Sequence, residues 1–474
     1  MPRRQTKKYK KQRGGVYIGK GTYGCTFGRP ALRCEGEAAR RPGKISKLMY
    51  SEHIAGELQF RDLLSPIDPD QKYFIYPDIS CSPAPLEPSD QLDNCPHNFS
   101  DLHETSILIQ PDGGENLEEI LLSASDFIPF FRSLRGLMVG LQKIHAVGIS
   151  HNDIKPPNIV SQKQPDGTFL TRFIDFGLMI NATTLDTEVG STGRFPRYRI
   201  FTTNYMYWPF EVRLLYPPVN TRALAREEES RAEYNEYIKN QINMFYENIP
   251  LSLLSIPARA LRTTPLSYGN VGIMANTYSH MPPTSKYASI FSGCDIHGFG
   301  MTLSQIYVRF LGHRDRGVDV PDIVIRDDDM PAWKPTNSST FVSYSPESLE
   351  WHREVARDIS RPLYNLIRRM IDTNPQERIK IAGVIEAYDM ILPAVERLFT
   401  ASNIRSHIKS FATPNHTRAS TPAPETQPSP KPFELSPLVA EPNITPSENG
   451  KWITVGPRGK PKKGGSRKTR RNRR

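Results

Sequence analysis

Two short runs constrain this chain more than any property of its composition. His151-Asn152-Asp153-Ile154-Lys155-Pro156-Pro157-Asn158 places one carboxylate, one ammonium and one carboxamide within six residues of a loop. Seventeen residues after Asn158 comes Asp175-Phe176-Gly177, just behind the apolar-rich stretch Phe169 to Ile174, which reads as a strand. Moving a phosphoryl group asks little covalent help of a protein. It needs a base to orient the attacking hydroxyl, metal ligands on the phosphates, and positive charge where negative charge develops. Asp153 suits the base, Asn158 and Asp175 suit Mg²⁺, and Lys155 suits the transferred phosphate. A hairpin with polar turn residues explains either run alone, but not both in this order and spacing.

Upstream, the β-type run Val16-Tyr17-Ile18 enters Gly19-Lys20-Gly21-Thr22-Tyr23-Gly24. Glycines at this spacing let backbone N–H groups approach phosphate oxygens with no Cβ in the way. A dinucleotide-binding loop would open a helix at once, whereas Cys25-Thr26-Phe27 reads as a returning strand. Together the three motifs resemble those of eukaryotic-type Ser/Thr protein kinases. The resemblance spans about residues 16–399. It implies an α+β, bilobal fold, with a small β-rich lobe over about 15–112 and a larger helical lobe over about 113–400.

The resemblance also assigns positions. Lys47, in the strand candidate Ile45-Ser46-Lys47-Leu48-Met49, matches the nucleotide lysine, with Lys44 as competitor. Ser51 to Leu64 reads as a helix whose Glu57 would pair with Lys47, Glu52 being the fallback. Gln110 and Asp112, after the buried strand Ser106 to Ile109, match the segment that meets adenine, with Glu115 or Asn116 near the ribose. ATP and Mg²⁺ are the implied cofactors, and protein Ser/Thr hydroxyls the implied acceptors. A helix capped at Ser125 or Asp126 runs to Val147 with Phe127, Phe131, Leu134, Met138, Leu141 and His145 on its core stripe. Here His145 and His151 read as structural rather than catalytic. The segment from Asp175 ends at Tyr207-Trp208-Pro209-Phe210-Glu211, and Thr202 or Thr203 is expected to touch Asp153 and Lys155. Asp295-Ile296-His297-Gly298-Phe299-Gly300 is expected to open an apolar helix, and Arg378 to pair with Glu211.

Departures from the family pattern carry expectations of their own. Asn152 stands where an Arg commonly receives activating phosphate, which predicts activity without that switch. The loosened ending at Glu211, His297 in place of Trp and a charged helical insertion at about 215–290 resemble kinases of large nucleocytoplasmic DNA viruses. So does the final Gly-Gly-Ser-Arg-Lys-Thr-Arg-Arg run. Lys155, two residues after Asp153, resembles Ser/Thr kinases rather than Tyr kinases or small-molecule kinases.

Charge separates the body from its ends. The chain has 474 residues and a net charge of +11, yet eighteen of its 61 Lys/Arg lie in residues 1–13 and 451–474, which hold no acid. The remaining 43 basic residues face 50 acids, so the body is acidic by about seven charges. Residues 1–14 read as a basic arm, 401–450 as a Pro/Ser/Thr-rich disordered linker and 451–474 as a basic tail. Five Ser/Thr-Pro pairs in the linker (Thr413, Thr421, Ser429, Ser436, Thr445) match proline-directed kinase targets, and Lys451 to Val455 suits a short docking element. The tail suits nucleic acid or another acidic surface.

The charged N-terminus carries no apolar signal, and no run is long enough to cross a bilayer, which predicts a soluble protein in a reducing compartment: host cytoplasm, nucleus or virion for a viral chain. The five cysteines are then expected as thiols; Cys25, Cys34, Cys81 and Cys95 as a zinc site is the alternative. Two other functions stay open: an inactive kinase-fold scaffold, and a nucleic-acid-associated protein acting through its ends.

Overall fold

The computed structural model describes residues 15–21, 24–87, 90–97, 99, 102–189, 205–215, 278, 281–310, 314–315, 318–319, 346–407, 444–446 and 452–454. The chain divides into two compact units, Met1–Ala412 and Thr413–Arg474. The first is α+β. Its N-terminal part is an antiparallel sheet of β1 (Val16–Lys20), β2 (Gly24–Gly28), β3 (Lys44–Tyr50), β4 (Ile79–Cys81) and β5 (Thr105–Pro111), in the order β1-β2-β3-β5-β4. Central β3 lies opposite β2 at Thr26↔Lys47 and opposite β5 at Lys47↔Leu108. Gly24 is forced by this pairing, because a Cβ there would stand 2.1 Å from the Leu48 carbonyl oxygen. A 3₁₀ turn (Ser51–His53) precedes α1 (Ile54–Leu64), where one continuous helix is predicted.

The sheet's core is small: Cys25, Phe27, Leu32, Leu48, Ile107 and Ile109 are its centre. Two disulfides close it, Cys25–Cys95 and Cys34–Cys81, with Cα–Cα distances of 6.0 and 5.7 Å. The expectation of reduced thiols is thereby corrected, and the four sulfurs are not available as a thiolate zinc site. The spacing hid the pairs because the partners are 70 and 47 residues apart. Cys294 is a buried thiol.

The rest of the unit is mainly helical. The long helix α2 (Phe127–His145) buries Phe127, Phe130, Phe131, Leu134, Leu137, Met138, Leu141 and Ile144 along one stripe, as the 3.6-residue period requires. Around it lie α4 (Pro283–Phe310), α5 (Pro346–Val355), α6 (Arg361–Met370) and α7 (Ile381–Leu398), with α3 (Ala182–Val189) against α4. Tyr388 of α7 donates to the Phe131 carbonyl at 2.8 Å, tying two of these helices through an otherwise apolar contact. The sheet region joins this core at Phe74, whose ring stacks on Phe173 at 5.8 Å while the Ile75 N–H donates to the Phe173 carbonyl.

Three boundaries differ from expectation. Asp295 lies in the middle of α4 rather than at a helix start, because the helix already begins at Pro283, inside the predicted insertion. Nearly all the rest of the 215–290 insertion, including the predicted helix 222–247, lies outside the described residues. Order also runs past 400 into α8 (Ala401–His407), since Ile404 is buried in the main core. In the second unit Ile444–Pro446 pairs antiparallel with Trp452–Thr454, where linker and docking element were expected. The basic arm and most of the basic tail lie outside the described residues. Among those described, no helix is long and apolar enough to cross a membrane.

Candidate active site

Strand pairing brings the two diagnostic loops together. β7 (Ile149–Ser150) precedes the 151–158 loop and β8 (Ile159–Lys163) follows it; β9 (Phe169–Phe173) precedes the 174–179 loop and β10 (Ile180–Asn181) follows it. Because β7 pairs with β10 and β8 with β9, the two loops are flanked by the same ladders and lie side by side. A direct bond completes the match, the Ile174 N–H donating to the Asn158 carbonyl at 3.0 Å.

Asp295 holds the first loop from behind. Its fully buried carboxylate accepts the Asn152 N–H at 2.7 Å on Oδ1, and the His151 N–H at 2.8 Å on Oδ2. His145 Nε2 stands 2.9 Å from the same Oδ2, so His145 is more than a packed side chain. Asn152 adopts a left-handed φ of +62°, which Asn tolerates better than most residues, and its amide nitrogen donates to the carbonyls of Ser150 and Leu178. The His151 ring is structural, as expected: Nδ1 accepts the Asp153 N–H and Nε2 donates to the Ile174 carbonyl, bridging the two loops.

These anchors fix the Asp153 carboxylate. Oδ2 accepts Lys155 Nζ at 2.9 Å and Asn158 Nδ2 at 2.7 Å, and Asn158 Nδ2 also donates to the Asp153 carbonyl. Oδ1 accepts the Tyr205 hydroxyl at 2.6 Å. Burial, then the Asp153 charge, push the Tyr205 phenol's pKa up, with Asp175 adding to the effect; the hydroxyl is therefore a donor. Thr202 and Thr203, expected at Asp153 and Lys155, lie outside the described residues, and the described hydroxyl on the carboxylate belongs to Tyr205. Sequence reasoning missed this residue; its one signal was the aromatic run Tyr205-Met206-Tyr207-Trp208. Tyr207, mostly buried, has its pKa pushed up to about 12.

Asp175 is exposed, with φ at +63°. The neighbouring Phe176 is buried and touches three rings: His151 at 5.3 Å, Phe74 at 6.2 Å and Phe60 at 6.4 Å. Phe60 sits one helical turn beyond Glu57 in α1, and Glu57 forms an ion pair with Lys47 of β3. The competitor Lys44 pairs instead with Asp78. A Cβ on Gly21 would lie 3.7 Å from Lys47 Cε, so Gly21 stands near this lysine. The Gly21 N–H donates to the Gly24 carbonyl at 2.7 Å; Gly19 and exposed Lys20 end β1, and Thr22 lies outside the described residues.

The stretch expected to meet adenine has its polar groups largely engaged within the protein. Gln110 lies in β5 opposite Ile45. The Asp112 N–H donates to the Gly43 carbonyl, and its carboxylate is engaged by Arg29 and the Gly114 N–H. The contact expected of Asp112 therefore has no open backbone donor. Asn116 is likewise engaged, accepting the N–H groups of Glu118 and Glu119, which leaves exposed Glu115.

At the far end of the site, Glu211 and Arg378 form the expected buried ion pair, with Arg378 Nη2 3.0 Å from Glu211 Oε2. Such a pair fixes geometry more reliably than it adds stability. His297 lies nearby with Nε2 3.3 Å from the Met206 carbonyl and a buried Nδ1 that has no hydrogen-bond partner among the described residues; burial drives its pKa down to about 3. Among the described residues, no three His, Cys, Asp or Glu side chains gather into a metal cluster. No protein-family model matches this chain, and no curated protein does.

Proposed function

We propose that the chain transfers the γ-phosphoryl group of ATP to Ser or Thr hydroxyls of protein substrates, on the two-lobed plan of the protein kinases its motifs resemble. The divergent positions suit a viral member of that group. One observation carries the reading: Asp153 is held rigidly on its Oδ2 side by Lys155 and Asn158 while its Oδ1 receives a hydroxyl. A carboxylate so arranged orients an attacking O–H and accepts its proton.

The donor set suits the implied partners. Asn158 engages its amide nitrogen with Asp153, which leaves its amide oxygen as the acceptor, and Asp175 offers an exposed carboxylate. Both are hard oxygen ligands, the kind Mg²⁺ takes alongside substrate phosphates. When bound, the ion supplies charge neutralisation on those phosphates. Lys47, oriented by Glu57 and close to Gly21, is placed to meet the same anion. Lys155 keeps a cation beside the base.

Purified full-length protein with Mg²⁺ and labelled ATP is expected to label Ser or Thr of casein or a basic protein, and not a choline-like acceptor. Asp153→Asn should lower the rate by about 10²–10⁴-fold. Binding of DNA with no transfer to any acceptor would contradict the reading.

A further inference from the structure

Gln91, Cys95 and His97, from one short stretch of chain, meet the β1–β2 hairpin in succession. At its base the Gln91 N–H donates to the Gly15 carbonyl at 3.0 Å, and Gln91 Oε1 accepts the Tyr17 N–H at 3.1 Å. Cys95 is bonded to Cys25, the first residue after the glycine-rich run. Inside that run, the Gly21 carbonyl accepts a hydrogen bond from His97 Nε2 at 3.0 Å. The imidazole is seated by Phe99, with ring centroids 5.9 Å apart, and Phe99 is buried with its ring 5.2 Å from that of Tyr50 in β3. The stretch therefore acts as a brace, fastened to the hairpin at its base, on β2 and in the turn.

What such a brace does follows from the glycines. Gly19, Gly21 and Gly24 open a wide choice of backbone conformations, and settling on one of them around a ligand costs the entropy of that choice. A carbonyl held by a ring fixes the peptide plane to which it belongs. Gly21 is also the residue beside Lys47, a Cβ there lying 3.7 Å from Lys47 Cε, so His97 holds the turn at the cation placed to meet the phosphates.

We propose that His97 is a positioning residue for the phosphates of ATP, acting through Gly21 to set the glycine-rich turn before nucleotide arrives. The inference rests on the phosphoryl-transfer reading above. Because the turn is ordered in the free protein, binding loses less entropy, and the gain is the same for bound ATP and for the transition state. It therefore lowers KM for ATP and leaves kcat alone.

The test uses the full chain. His97→Ala is expected to raise KM for Mg-ATP about 2–10-fold, the contribution of one hydrogen bond, with kcat nearly unchanged. Affinity for a non-hydrolysable ATP analogue with Mg²⁺, measured by calorimetry with no acceptor present, should fall by the same factor. His97→Gln, whose side-chain amide can donate to the same carbonyl, should recover much of that loss. In wild-type protein without nucleotide, the Gly21 amide, which donates to the Gly24 carbonyl at 2.7 Å, should already exchange slowly. His97→Ala should accelerate exchange there and not in α2. A His97→Ala variant that binds the analogue as tightly as wild type, or that loses kcat in place of KM, would overturn the inference while leaving the phosphoryl-transfer reading intact. Wild-type protein that binds no analogue and transfers to no acceptor would overturn both. The wild-type exchange measurement decides the matter even if the variants fail to fold: a Gly21 amide that exchanges freely until Mg-ATP is added would overturn the inference.

Discussion

The sheet region and the helical region are stabilised in different ways. Around the sheet, a modest apolar centre is closed by Cys25–Cys95 and Cys34–Cys81, the second loop nested inside the first. The helical region has a core rich in phenylalanine and no disulfide among the described residues. It uses buried polar groups instead: Asp295 behind the 151–158 loop and Glu211 with Arg378. The difference suits what each region has to do. Cross-links restrict a region that cannot bury much, whereas hydrogen bonds to a buried carboxylate fix the orientation of particular loop atoms. Precision at Asp153 thus depends on polar anchoring, and the frame around Lys47 depends on covalent closure.

Breaking the polar anchor should have the largest effect. Asp295→Ala orphans the buried N–H groups of His151 and Asn152 and removes the partner of His145. At about 1–3 kcal/mol for each of the two orphaned N–H groups, the expected loss is about 2–6 kcal/mol, read by denaturant unfolding. Phosphoryl transfer should fall further than the loss of folded protein explains.

Removing the outer cross-link should cost less. Cys25→Ser with Cys95→Ser releases a 70-residue separation and is expected to cost about 2–4 kcal/mol. Because the loops are nested, losing both disulfides should cost less than the sum. The hallmark is location: hydrogen exchange should accelerate in β1 to β5 and stay slow in α2 and α7. Equal acceleration in both regions would erase the distinction drawn here.

Acid offers a smaller and reversible version of the same comparison. His297 is buried neutral, its pKa lowered from the ordinary value of 6.5 to about 3. The unfolded chain therefore takes up this proton at higher pH than the folded one. Stability from this group is full above the ordinary value and is lost as pH falls from there toward 3. At pH 5 the loss is about 2 kcal/mol. His297→Phe should flatten that part of the stability curve; identical pH dependence in both proteins would refute the assignment.

Much of the site could be read from residue order alone, and the reasons are physical. Asp153, Lys155 and Asn158 are near neighbours in one loop, so local geometry forces them together, and Asp175 joins through simple strand pairing. Lys47 and Glu57 were legible because a strand followed by a helix leaves few ways to place a lysine against a carboxylate. What escaped depended on distant contacts. Cysteines 70 and 47 residues apart leave no local trace, and Tyr205 reaches Asp153 across 52 residues of chain. The engagement of the Asp112 N–H by the Gly43 carbonyl is likewise a contact between segments distant in the chain. The early end set at 400 missed Ile404 because one buried side chain on a short helix gives no periodicity to detect.

The most direct test of the central claim is whether Mg-ATP stabilises the folded chain through Lys47, Asn158 and Asp175. Differential scanning fluorimetry with increasing ATP, with and without Mg²⁺, measures this without any acceptor. A ligand at about a hundred times its dissociation constant adds about 2.7 kcal/mol, so the melting temperature should rise clearly. The account predicts a rise that needs Mg²⁺, is much reduced by Lys47→Met and by Asp175→Asn, and is kept by Lys44→Met. A melting temperature that ignores Mg-ATP, or that rises equally in all three variants, would contradict it.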